Sequence, residues 1–83
     1  MAIEFCRFHP VKKVGSLIGF CGFKYNGIGF SEIAVHRLLQ PKGNVKVRLL
    51  FPEKIKPSSE AQVALDEEIS AYISANYRKA LER

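Results

Sequence analysis

The chain reads as an α+β protein: an antiparallel four-stranded β-sheet followed by one C-terminal α-helix. Three observations predict this. Asn26-Gly27 sits between two apolar-rich runs, the strongest short signal for a hairpin, because a type I′ turn needs positive φ at both central residues. Gln40-Pro41-Lys42-Gly43 is a second turn, with Pro at its second position and Gly at its fourth. After Pro57 the apolar period changes from two to that of a helix. A single domain over residues 1–83 is expected, with 1–57 forming the sheet part and 58–83 the C-terminal helix. A chain this small buries only ~60% of the surface its unfolded form exposes, so a partner copy would help it.

The first strand is predicted over residues 3–8, closed by His9-Pro10, because Pro donates nothing to a ladder. Lys12, Lys13 and Gly15 make a polar connection. The second strand spans 16–25 and the third 28–39. A two-residue loop sets Phe23 opposite Phe30, Cys21 opposite Glu32, Phe20 opposite Ile33 and Ile18 opposite Val35. The fourth strand, 45–51, ends at Pro52, and a three-residue loop before it sets Val35 opposite Leu49, Ile33 opposite Phe51 and Arg37 opposite Val47. Both registers agree on one apolar face: Ile18, Phe20, Ile33, Val35, Leu39, Val45, Val47, Leu49 and Phe51. Ser59 with Gln62 reads as a capping box that starts the helix. Its apolar stripe is Ala61, Leu65, Ile69, Tyr72, Ile73 and Ala80, with Glu60, Glu67 and Arg78 opposite. Asn76 falls within the stripe, and Arg78, Lys79 and Arg83 suit the negative end of the helix dipole.

Charge gives the first indication of function. Thirteen Lys and Arg against eight Asp and Glu give +5. The first 57 residues carry ten basic and three acidic residues, and the rest three and five. A basic body suits a polyanion. No apolar run approaches the ~20 residues of a membrane helix, and no basic-then-apolar leader opens the chain, so a cytoplasmic protein with no membrane partner is expected. Cys6, Cys21, His9 and His36 lack zinc spacing, and the cysteines read as small buried hydrophobes; no metal and no cofactor are expected. The serines have no His–acid set, and the glycines form no phosphate loop. The chain therefore reads as no enzyme, with no small-molecule substrate.

The second sheet face is expected to carry Lys46 and Arg48, with His36 opposite Arg48, Glu32 nearby, and Leu17, Phe23, Phe30, Leu38 and Leu50 among them. Cations beside aromatic rings suit single-stranded nucleic acid. The apolar members, Leu17, Phe23, Phe30, Leu38 and Leu50, suit a homodimer interface. Lys54 and Lys56 follow a strand end beside the helix N-terminus at Ser58-Ser59, where N–H groups favour an anion, and Lys12 and Lys13 form a second basic turn.

The order of these residues resembles the stage V sporulation protein G (SpoVG, septation protein) family. Phe5-Cys6-Arg7 before a basic turn, the run from Gly15 through Phe20 to Phe23, Phe30-Ser31-Glu32-Ile33-Ala34-Val35, Val47-Arg48-Leu49-Leu50-Phe51-Pro52, and the segment from Ile69 to Tyr77 carry the likeness. It implies a small dimeric regulator that binds DNA and RNA and acts on septation, sporulation or virulence genes, in a phage-type or shortened form. The resemblance implies contacts at Lys54 and Lys56. The family's segment after the strand-ending Pro is longer than the six residues present here, 53–58.

The sequence thus points to a nucleic-acid-binding regulator that contacts phosphates through Lys54, Lys56, Lys46, Arg48, Lys12 and Lys13 with modest sequence preference. The alternative is a protein–protein interaction adaptor that presents its apolar face or an edge strand and binds no nucleic acid.

Overall fold

Asn26 and Gly27 adopt φ of 52° and 80°, the left-handed pair that a type I′ turn requires. They join β2 (Leu17–Tyr25) to β3 (Ile28–Leu39). The structure, a computed structural model, describes residues 3–39 and 45–78, with the side chains of Lys13, Leu39 and Val45 outside that description. The turn predicted at Gln40 to Gly43 and the helix tail with Lys79, Ala80 and Arg83 lie outside the described residues. β4 (Val45–Leu50) pairs with β3 in the expected register, Val35 opposite Leu49, His36 opposite Arg48 and Arg37 opposite Val47. Phe51 lies just past the ladder rather than in it. Strand order is β1-β2-β3-β4, a meander, and α1 (Ser59–Asn76) covers one face.

β1 (Ile3–Val14) is longer than predicted and runs straight through His9-Pro10. Pro10 stands opposite Gly19. β1 is an edge strand, where a residue without an N–H is tolerated.

The largest correction concerns the β2–β3 pairing. The predicted register holds near the turn, where Phe23 faces Phe30, but Cys21 then faces Ile33 and Phe20 faces Ala34. Ser31 and Glu32 share the place opposite Gly22, and Glu32 takes a φ of 55°. This is a β-bulge, one extra residue on β3. A second bulge reverses the shift: Ile18 is the extra residue, lying on β2 between the Leu17–His36 and Gly19–Val35 pairs. The apolar spacing explains both. Phe30, Ile33 and Val35 are spaced three then two, and so are Ile18, Cys21 and Phe23. An ungapped ladder buries only part of each set, whereas a bulge puts all of each set on the helix side.

The core therefore consists of Phe8, Ile18, Cys21, Phe23, Ile33, Val35, Val47 and Leu49 from the sheet, with Leu65, Ile69 and Ile73 from α1. Phe23 and Phe30, expected on the opposite face as dimer contacts, belong to this side. Their rings lie 5.2 Å apart, and Phe51 meets Phe30 edge-on at 5.5 Å. Phe20, expected in the core, is turned to the other face by the same bulge. Gly19 is needed because a Cβ there would lie 2.7 Å from the Phe8 ring and 2.5 Å from the His9 carbonyl oxygen. Phe8 fills that space and meets Tyr77 edge-on at 5.2 Å, tying β1 to the end of the helix.

α1 also closes the β4 edge. The Val47 N–H donates to Ser70 Oγ (3.0 Å) and the Leu49 N–H to Asp66 Oδ1 (3.0 Å). Gln62 Nε2 donates to the Leu49 carbonyl (2.8 Å) and to Asp66 Oδ1 (2.9 Å). Positions 62, 66 and 70 recur every four residues and form a polar stripe beside Leu65, Ile69 and Ile73. The helix thus buries its apolar stripe on the sheet and satisfies an open edge. Gln62 is engaged in this way rather than in a capping box: the cap is Ser58, whose Oγ accepts from the Ala61 N–H at 3.2 Å. Asn76 is exposed at the helix end and donates to the Tyr72 carbonyl.

Two outcomes follow. Asp66→Ala leaves the Leu49 N–H unpaired and lowers unfolding stability by about 1–3 kcal/mol in urea titrations. Gly19→Ala destabilises by about 1–3 kcal/mol or more, because backbone and ring both occupy the new methyl's place; an unchanged midpoint contradicts the Phe8–Gly19 packing.

Candidate nucleic-acid interface

Strand alternation decides which side chains share the face away from the helix. Cys21, Ile33 and Val35 point toward α1, so their neighbours point away. One row across the sheet is His9, Phe20, Ala34 and Leu50. The next toward the β2–β3 turn is Arg7 and Gly22, then Lys24 between Glu4 and Gly29. In the opposite direction come Leu17, His36 and Arg48, then Leu38 and Lys46. Basic residues thus mark two diagonal corners, Arg7, His9 and Lys24 at one and Arg48 and Lys46 at the other. Phe20, Leu17, Leu38 and Leu50 lie between them. Leu50 is 58% exposed.

At the first corner the face is concave. Phe5, Arg7, His9, Phe20, Lys24 and Glu32 are among the residues that line a recess of about 500 Å³. Gly22 and Gly29 form part of its lining. Gly29 has neither a left-handed φ nor any atom within 4 Å of where a Cβ would stand. A glycine inside a strand costs about 0.5–1 kcal/mol relative to alanine, so what it contributes here is open space. Phe5 is the other anomaly: it is 77% exposed and holds a φ of 54°. Left-handed backbone costs a side-chain-bearing residue about 1–2 kcal/mol. Phe5 and Cys6 form a bulge of β1, between the Glu4–Lys24 and Arg7–Gly22 pairs; a second irregularity lies between Pro10 and Val14.

The residues singled out from sequence fall in separate places. Lys46 and Arg48 are exposed on this outer face, as expected. Lys12 is exposed on β1 near its Val14 end, which pairs with Leu17; the side chain of Lys13 is not described. Lys54 and Lys56 are exposed in and after a 3₁₀ turn, Glu53–Ile55, beyond the Leu50 end of β4 and so away from Lys46. Arg37 contributes nothing to the outer face: it pairs with Val47 on the helix side, and its Nε is buried with no hydrogen-bond partner among the described residues. Sequence reasoning missed Arg7, His9 and Lys24. The signal was present in the period-two spacing of Arg7 and His9 around Phe8, but ending the strand at residue 8 concealed it.

His36 is half-buried between Leu17 and Arg48, and its Nδ1 lies 2.8 Å from Ser16 Oγ. Its cross-strand neighbours include no carboxylate, so the pair lacks the acid that orients a catalytic histidine. Both cysteines are free. Burial, then Glu68, pushes the Cys6 thiol up to about 11. Burial, then Cys6, pushes the Cys21 thiol up to about 12. Such thiols are poor nucleophiles at neutral pH. The Tyr72 hydroxyl donates to the Cys6 carbonyl at 3.2 Å, and burial, then Tyr77 and Cys6, raises its pKa. Among the described residues no cluster of three or more His, Cys, Asp or Glu is arranged to hold a metal, and no helix is long and apolar enough to cross a membrane. No family model, curated protein or solved structure matches this chain.

The raised thiol pKa values set a pH dependence. A group whose folded pKa lies above its unfolded value of 9.0 supports the fold fully below that pH, and the support is lost as pH rises toward 11. Between pH 9 and 11 the wild type therefore loses more unfolding free energy than a Cys6→Ser, Cys21→Ala double variant. Parallel urea midpoints across that range contradict the assignment.

Proposed function

We propose that this protein is a small nucleic-acid-binding regulatory protein that uses the outer face of its sheet. The observation that carries the reading is the composition of that face: Arg7, His9 and Lys24 beside Phe5 and Phe20 at one corner, and His36, Arg48 and Lys46 toward the other, with Glu4 and Glu32 as the carboxylates in the rows of the first corner. Cations at both diagonal corners suit a phosphate backbone that crosses the face, and rings between them suit bases. The function is one of binding, with no chemical step. The likeness to the septation-protein family, in a shortened form, belongs to the same proposal and points the same way, as does a cytoplasmic location.

A homodimer is part of the reading. Leu50 is exposed, and half-buried Leu17 and Leu38 lie in the next two rows, an apolar strip interrupted by His36 and Arg48. Two copies that meet there bury these leucines, set Lys46 and Arg48 on the rim of the contact, and keep the Phe5–Arg7–Lys24 corner of each open. The same exposed Leu50 favours a second reading, an adaptor that recruits another protein through this strip.

The test is anisotropy of labelled oligonucleotides against a salt series. Neutralising about four phosphates gives a log–log slope near −3.6 on duplex and near −2.8 on single strands. The Arg7→Glu, Lys24→Glu variant and the Lys46→Glu, Arg48→Glu variant each weaken binding and flatten the slope, while Lys54→Glu, Lys56→Glu has a smaller effect because those lysines lie beyond the β4 end. Absence of binding at low salt rejects the nucleic-acid reading and favours the adaptor. Leu50→Asp converts the dimer to a monomer in light scattering; a monomeric wild type removes the dimer.

A further inference from the structure

We propose that the recess at the β1–β2 corner is a nucleobase pocket, which makes the protein selective for single-stranded over double-stranded nucleic acid. The inference rests on the nucleic-acid reading above and deepens it by naming the substrate class.

Three independent features converge on this recess. Phe5 is an exposed ring held on a left-handed backbone within a bulge, and such strain persists where the surrounding structure enforces it and function uses it. Phe20 is turned out of the core into the same recess by the Ser31–Glu32 bulge. Gly29 leaves the recess open where a larger residue meets no obstacle. Two rings that line one open recess form a stacking site.

Charge decides which part of a strand occupies it. Arg7, His9 and Lys24 line the recess, but Glu32 lines it too, and Glu4 stands opposite Lys24. A phosphate seated inside meets a carboxylate, whereas a base offers Glu32 its exocyclic amino or ring N–H donors. The base therefore enters and the phosphates stay on the rim with Arg7 and Lys24. A duplex keeps its bases stacked and paired, so neither ring reaches a base face; a single strand splays its bases freely.

The experiment compares a labelled single-stranded 20-mer, in DNA and RNA forms, with its duplex at one salt concentration, using the full chain. The expected result is single-strand binding at least ~5-fold tighter than duplex binding. Phe5→Gly removes the ring and relieves the backbone, so its melting temperature stays equal or rises while single-strand affinity falls at least ~5-fold and duplex affinity is unchanged. Gly29→Leu fills the recess without removing a cation and produces the same selective loss. Inorganic phosphate at millimolar concentration does not compete beyond its ionic-strength effect.

Equal affinity for single strand and duplex, with both variants binding as wild type, overturns the pocket and leaves a phosphate-tracking face in place. A loss of single-strand and duplex affinity together in folded Phe5→Gly also overturns it. No binding to any oligonucleotide at low salt overturns the pocket and the nucleic-acid reading together.

Discussion

The extra residue in β3 opposite Gly22 governs both faces of the sheet. Because side chains alternate along a strand, one added residue exchanges the inside and outside sets on everything beyond it. Here it brings Phe30 and Ile33 to the same side although three positions separate them. It aligns Cys21 with Ile33 and leaves Phe20 facing outward. Had the ladder continued ungapped, Phe20 would be covered by the helix and Phe23 would face away from it. Glu32 bears the local cost through its left-handed φ. The compensating bulge at Ile18 restores the frame before the sheet ends, so Leu17 still faces His36 and β4 is undisturbed.

The two edges of this meander are treated differently. β4 is closed from the side by Gln62, Asp66 and Ser70, which serve its outward N–H and C=O groups at 2.8–3.0 Å. The helix is therefore positioned by directional bonds as well as by burial of Leu65, Ile69 and Ile73. β1 receives only the Tyr72 hydroxyl at Cys6 and the Phe8–Tyr77 ring contact among the bonds and ring pairs described for it and the helix. Its bulge at Phe5–Cys6 and its Pro10 break up the regular spacing that another strand would pair with. The same irregularity that blunts the edge lifts Phe5 into solvent, so protection of the edge and construction of the recess share one cause.

Much of the architecture was legible in the chain. Asn26-Gly27 dictated its own turn type, because few residue pairs accept positive φ twice. The register of β3 with β4 followed from the loop length alone. The helix stripe was readable since Leu65, Ile69 and Ile73 repeat at helical spacing and nothing in the sheet competes for them. Of the candidate site, Lys46 and Arg48 were placed correctly on the outer face, since no bulge interrupts the β3–β4 ladder. Arg7, His9 and Lys24 were missed, and Phe23 and Phe30 were given to the wrong face. Each of these errors arises where β1 or β3 carries an extra residue or where Pro10 lies in a strand.

What the sequence by itself determined is the order of elements, the Asn26-Gly27 turn, the basic balance of the sheet portion and the buried character of the Cys21 thiol, whereas Cys6 is only half-buried. All depend on local conformational preference or composition. What only the tertiary structure decided is which side of the sheet each aromatic occupies, that Gln62 and Asp66 serve a strand edge rather than a helix cap, and that Phe5, Phe20 and Gly29 line a common recess. These depend on pairings between strands, where one inserted residue reverses a face, and its position is chosen by packing of Phe8 against Gly19 and of Phe23 against Phe30 and Phe51, contacts that no single segment encodes alone.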